Sequence, residues 1–131
     1  MTLVVDASAV VEFVLGSSRG RDAAASMGRH GGALHAPALI LAESLSALRA
    51  LERRRVLLPP RGDQAVEDLL HFPLHTYATE SLVARIWSLR GHITVYDAHY
   101  VALAEALDAP LLTGDHRLAG AVRELVHTIT I

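Results

Sequence analysis

Residues 94–118 read TVYDAHYVALAEALDAPLLTGDHRL, and the order of patterns in them decides the fold. Apolar and small residues recur at three- and four-residue spacing from about Tyr96 to Leu107, the period of a helix. The run Ala109–Thr113, APLLT, then reads as a buried strand. Gly114 permits the tight turn that leads into a second helix over about 116–124. A buried apolar strand between two helices belongs to a parallel sheet, because parallel strands are joined by crossovers that cover the sheet faces.

The rest of the chain repeats this alternation. TLVVDASAVVEF, residues 2–13, gives a strand at Leu3–Val5 and the start of a helix, with helices within 7–15 and 20–28. A short strand near Ala33–His35 precedes Pro37, read as a first-turn residue of a helix of about 18 residues reaching Arg54. PPRGDQAVEDLLHF, residues 59–72, gives a turn and a helix. A strand near Leu74–Tyr77 leads to a helix from about Glu80 to Arg90, and VHTITI, residues 126–131, alternates as a last strand. No repeat, low-complexity tract or linker interrupts the series. The expectation is one domain over residues 1–131: a three-layer α/β/α sandwich around a central, mostly parallel sheet of about five strands.

Composition narrows the function. The chain is 51% hydrophobic with mean hydropathy +0.31, yet its apolar runs, such as ALILA at 38–42, are far too short to span a bilayer. The N-terminus lacks a basic stretch, and Asp6 interrupts what would be the apolar core of a signal peptide. Cysteine is absent, which removes disulfides, thiolate zinc sites and cysteine nucleophiles. A cytoplasmic protein without membrane attachment is the expectation. All 12 basic residues are Arg, so lysine Schiff bases and the P-loop lysine are excluded. Guanidinium groups are left as the means of holding phosphate. A net charge of −2 means that any nucleic-acid binding must rest on local patches.

Most of the 14 acidic residues fall at helix ends or in polar stretches; four do not. Asp6 follows the first strand and Asp115 follows the APLLT strand, so both stand at the carboxyl edge of the sheet, where such sheets bind ligands. Either could be a helix N-cap. Asp97 opens a helix, in phase with Tyr100, Val101 and Ala104. Glu43 lies in a helix whose neighbouring positions Leu39, Ile40, Ser46, Ala47 and Ala50 are apolar or small, so it faces packed structure or a crevice. Carboxylates about 5 Å apart repel by roughly 3 kcal/mol per pair at an effective dielectric of 20. A positive partner must offset that, and oxygen-only ligands select hard cations, Mg²⁺ or Mn²⁺.

These stretches resemble the PIN-domain ribonucleases, most closely the VapC toxins of toxin–antitoxin pairs. VVDASAVVEF is similar to the family's first-strand Asp motif with Ser8 following, and APALILAESLSALRAL to the helix that carries its Glu. TVYDAHYVALAEALDAPLLTGDHRL is similar to its Asp-led helix followed by a strand and Thr-x-Asp. The resemblance implies Asp6, Glu43, Asp97 and Asp115 as catalytic, metal-holding acids, with Ser8 and Thr113 as supporting hydroxyls. It also implies an endoribonuclease using one or two Mg²⁺ or Mn²⁺ ions, a homodimer, and a VapB-type antitoxin that blocks the site. Arg117 and His116, beside Asp115, are candidate contacts to the RNA substrate.

Other readings fit less well. His71 and His75 have metal-ligand spacing, but Pro73 between them argues against one helix carrying both. A haloacid-dehalogenase-like phosphatase wants a second Asp where Ser8 stands, and a receiver domain wants a lysine. Arg53–Arg55 read as helix-end charges or as an RNA-gripping patch. Tyr96, Tyr100 and Trp87 read as core or intersubunit contacts. The functional alternative is a PIN-like module that binds RNA or a protein without cutting.

Overall fold

The computed structural model describes residues 2–131. Five strands form one sheet in the order β3-β2-β1-β4-β5, with β1 (Thr2–Val5), β2 (Ala33–Pro37), β3 (Leu74–Tyr77), β4 (Leu111–Thr113) and β5 (Thr128–Thr130). All four pairings are parallel. Leu3, Val4 and Val5 are wholly buried, as a central strand covered on both faces requires.

Between β1 and β2 run α1 (Ala7–Leu15) and α2 (Ser18–Arg29), and between β2 and β3 run α3 (Leu39–Arg53) and α4 (Pro59–Leu70). These four helices pack on one another. A Cβ at Gly20 would collide with the Glu12 carbonyl, so only glycine lets α2 approach α1 this closely. After β3 come a 3₁₀ turn (Glu80–Leu82), α5 (Val83–Ser88) and α6 (Val95–Leu107), then α7 (His116–Val122) between β4 and β5. The long apolar α6 lies against β1, β2 and β4. Right-handed crossovers place α1–α4 on one face of the sheet and α5–α7 on the other.

Two boundaries differ from the sequence reading. Pro37 does not open α3: it ends β2, paired with Tyr77, and the helix begins at Leu39. Proline's fixed φ and missing N–H suit a strand's last residue as well as a helix's first turn, so its presence does not choose between them. The expected helix from Glu80 to Arg90 is broken into a 3₁₀ turn and the six-residue α5.

The chain steps from β1 outward through β2 and β3, then returns to add β4 and β5 on the other side of β1. That reversal puts a crevice beyond the carboxyl ends of β1 and β4, the place where doubly wound sheets bind ligands. No helix among the described residues is long and apolar enough to cross a membrane.

Candidate active site

Asp6 stands where β1 ends beside β4, its N–H bonded to Leu112 O at 3.1 Å. It is 6% exposed. Its Oδ1 accepts from the Ala9 N–H at 3.1 Å, capping α1, and from Ser8 Oγ at 2.6 Å. Its Oδ2 accepts a short hydrogen bond from Thr113 Oγ1. Each hydroxyl also ties Asp6 to the turn after β4: Ser8 Oγ accepts from Gly114 N at 2.8 Å, and Thr113 Oγ1 from Asp115 N at 2.9 Å. Ser8 and Thr113 therefore act on the carboxylate, fixing its rotamer from both sides. Burial pushes the Asp6 carboxyl above the ordinary aspartate value. Bonds from Ser8, Thr113 and Ala9 pull the other way, and the negative charge of Asp97 adds to the rise.

Asp115 is the N-cap of α7, accepting from Leu118 N at 3.0 Å, and is only partly buried. In the turn before it the Gly114 backbone is not left-handed, and an added side chain would meet chiefly the end of Arg19. A Cβ there would lie 2.6 Å from Arg19 Nη2 and 3.2 Å from Ser8 Oγ. Arg19, from α2, donates to the Gly114 carbonyl at 2.6 Å and clamps this turn from a position 95 residues away. Nothing in the local sequence marks Arg19.

Asp97 is not the helix cap. Thr94 caps α6, accepting the Asp97 N–H at 3.1 Å, and Asp97 is the third residue of the helix. Half-burial raises its carboxyl, as does the charge of Asp115, while Thr94 and Arg117 lower it. Asp97 thus feels Asp115 on one side and is felt by Asp6 on the other. Glu43 sits at the margin of the buried face of α3, which is formed by Ile40, Ser44 and Leu48. Its Oε1 accepts from Tyr100 Oη at 2.6 Å. Tyr100 is buried, and burial together with Glu43 and Asp6 holds its hydroxyl protonated as a donor. Tyr96 and Trp87, by contrast, are 62% and 61% exposed and lie outside the core.

His116 turns to the C-terminal carbonyl of Ile131 at 2.9 Å, whereas Arg117 lines a cleft of about 420 Å³ together with Asp97. Arg53 ends α3, about 15 Å along the helix axis from Glu43, and Arg54 and Arg55 follow it. His71 bonds the Glu67 carbonyl at the end of α4, while His75 stacks on His35 at 5.0 Å, so the two histidines do not converge.

As placed, no three Asp, Glu or His side chains among the described residues stand close enough to hold one ion. The chemistry of the set nevertheless fits a hard cation. The ion pairs among the described residues are Arg19–Glu12, Arg61–Asp68 and Arg85–Glu105, and none neutralises Asp6, Glu43, Asp97 or Asp115. Asp6 keeps spare acceptor capacity on Oδ2, and Asp115 keeps an oxygen not used in capping. Asp97 and Asp115 are partly exposed, and each has fewer bonds to its carboxylate than Asp6.

Comparison with known proteins agrees. The PIN domain family pattern matches residues 3–123. The chain is 42% identical over 120 residues to Ribonuclease VapC3 of Mycobacterium tuberculosis, covering 91% of this chain and 86% of that protein. It is 38% identical over 117 residues to Ribonuclease VapC9 of the same organism, covering 89% and 88%. In fold it is similar to PAE2754 from Pyrobaculum aerophilum, with TM-score 0.69, 23% identity and coverage of 98% and 89%. It is also similar to VapBC2 from Rickettsia felis, whose structure was solved bound to a promoter DNA fragment, with TM-score 0.71, 11% identity and coverage of 99% and 98%. With the strand order, the buried Asp6 and the matched pattern together, the chain belongs to the PIN domain family, in its VapC branch.

Proposed function

We propose that this protein is a metal-dependent endoribonuclease toxin of the VapC kind, restrained by a cognate antitoxin. The observation that carries the reading is Asp6: a buried carboxylate at the sheet's switch point, fixed by two hydroxyls and raised by burial, with no basic side chain paired to it. The relatives named as ribonucleases share the chain nearly end to end.

In this reading Asp6, Glu43, Asp97 and Asp115 hold one or two Mg²⁺ or Mn²⁺ ions. Bound there, the ions supply the acidity that makes water a nucleophile at neutral pH and offset the phosphate's charge. Asp6 is the fixed point of the set, because Ser8 and Thr113 leave it one orientation. Tyr100 donates to Glu43 and fixes its carboxylate. Water attacks the phosphorus and the bond to O3′ breaks, leaving 5′-phosphate and 3′-hydroxyl ends, with no part taken by the ribose 2′-hydroxyl. RNA is cut where it is found, in the cytoplasm.

The partners follow the same reading: a VapB-type antitoxin over the crevice, and a second copy of the chain. Leu41 and Leu45, one turn apart on α3 and 43% and 45% exposed, are apolar side chains that a second copy would cover. The test is incubation of the purified protein with single-stranded RNA, with MgCl₂ or with EDTA, followed by end-group analysis. Magnesium-dependent fragments with 5′-phosphate ends support the reading. Fragments ending in 2′,3′-cyclic phosphate contradict the water route. RNA binding without cleavage at any metal concentration turns the protein into a binding module.

A further inference from the structure

The cleft beside Asp97 has a composition unlike the rest of the site. Its walls come from the loop joining α5 to α6, with Arg90, Gly91, His92, Ile93 and Thr94, and from α7, with Arg117, Leu118 and Ala121. At about 420 Å³ it falls within the range of small-ligand sites, about 300–1,000 Å³. Two arginines line it, Arg90 from the loop and Arg117 from the first turn of α7. Among the described residues neither is in an ion pair, since those pairs engage Arg19, Arg61 and Arg85, although the charge of Arg117 reaches Asp97 in the same cleft.

Arg90 is also held in place. Its Cζ lies 4.4 Å from the centre of the exposed Trp87 ring, and its Nη1 donates to the Trp87 carbonyl at 2.8 Å. This cation–π seat restricts a side chain that would otherwise carry about 2 kcal/mol of rotamer entropy. His92 Nε2 donates to the Ala121 carbonyl at 2.6 Å, which joins the loop to α7 and sets the width of the cleft. Asp97 is the one carboxylate that lines it, and it joins the cleft to the acidic residues of the site.

We infer that Arg90 and Arg117 form a clamp for a backbone phosphate of single-stranded RNA next to the one being cut, with Trp87 positioning Arg90. The inference rests on the ribonuclease reading and adds to it the path of the strand: out of the acidic crevice past Asp97, between α7 and the α5–α6 loop. A phosphodiester strand suits the order of charges, with one phosphate at the acids and its neighbour at the two arginines that line the cleft. Guanidinium–phosphate bonds are charge-assisted and directional, so they fix the strand's register without reading its bases.

The test uses the full chain in the Asp6→Asn background and a fluorescently labelled pool of random 24-nucleotide single-stranded RNA, with MgCl₂ present. Fluorescence anisotropy is read over a range of KCl. Arg90→Ala and Arg117→Ala are each expected to weaken binding by about tenfold. Each is also expected to reduce the slope of log affinity against log salt by about 0.7, the value of one phosphate contact on a single strand. Arg90→Lys restores the slope and part of the affinity, because it returns the charge without the fork. Trp87→Leu weakens binding less than Arg90→Ala and keeps the slope. Arg54→Ala, at the far end of α3, leaves both unchanged. If Arg90→Ala and Arg117→Ala bind like Arg54→Ala, the clamp is overturned while the ribonuclease reading stands. If the wild-type protein neither binds nor cuts RNA, the ribonuclease reading fails and the clamp falls with it.

Discussion

Asp6 and Asp115 do the same local job and differ in everything around it. Both follow a central strand, and both cap the next helix with Oδ1, Asp6 through Ala9 N and Asp115 through Leu118 N. Asp115 has one bond and partial exposure, which is what capping alone requires. Asp6 is buried, has a donor on each oxygen, and has its carboxyl raised by that burial. A cap does not need two extra hydroxyls drawn from two elements. The surplus at Asp6 marks it as a group held for chemistry, at a cost in stability that an exposed cap would not carry.

The largest expected effect is on turnover. Asp6→Asn keeps the shape of the side chain: its oxygen can still accept from Ala9 N, and its amide can donate to the Thr113 hydroxyl. The loss of charge is expected to lower RNA cleavage by about 10³-fold or more in a turnover assay. The same change raises the metal-free melting temperature, because it removes a buried charge that sits near Asp97. Asp115→Asn, which keeps a good N-cap in a more exposed position, is expected to change the melting temperature far less. Equal stabilisation by the two substitutions would erase the distinction drawn between them.

Thr113→Val sharpens the comparison, since it removes the hydroxyl that links the two junctions. It leaves an Asp6 oxygen and the Asp115 N–H without their partner, at a cost of about 1–3 kcal/mol in urea denaturation. Activity is expected to fall by about 10- to 100-fold, as for a group that orients a metal ligand. Thr113→Ser should recover most of both losses.

The acids also set the sign of the pH dependence. Asp6 and Asp97 are raised above the ordinary 3.8 in the folded chain, chiefly by burial. Such groups contribute stability below their unfolded pKa and lose it as pH rises through the folded value. Their contribution to the metal-free protein therefore grows as pH falls from neutral towards the ordinary carboxylate range, and Asp6→Asn removes part of that slope. Denaturation midpoints at two pH values, with and without Asp6→Asn, check it. Gly114→Ala comes last, at about 0.5 kcal/mol or less, because the added Cβ meets chiefly the mobile end of Arg19.

The strand and helix order was readable because Leu3–Val5 and APLLT are short apolar runs flanked by residues at helical spacing. The carboxyl-edge position of Asp6 and Asp115 followed from that order alone. Pairings across the chain were not readable. Tyr100 is 57 residues from Glu43 and Arg19 is 95 from Gly114, and neither carries a local mark of its partner. The start of α6 lies within a residue of the sequence reading, but that Thr94 and not Asp97 caps it was not readable, because both are acceptable caps by residue type. The exposure of Trp87 and its seat beneath Arg90 likewise depend on where the short α5 ends, which apolar spacing does not fix.

The most direct test of the central claim is thermal melting of the wild-type protein and an Asp6→Asn/Asp97→Asn variant, with and without a few millimolar MgCl₂ or MnCl₂. A cation that binds only the folded chain raises its stability by about 2.7 kcal/mol at 100 times its dissociation constant. Metal is expected to raise the melting temperature of the wild type and to leave the variant where it was. Metal that shifts neither protein, or both equally, would contradict it and return Asp6 and Asp115 to the role of helix caps.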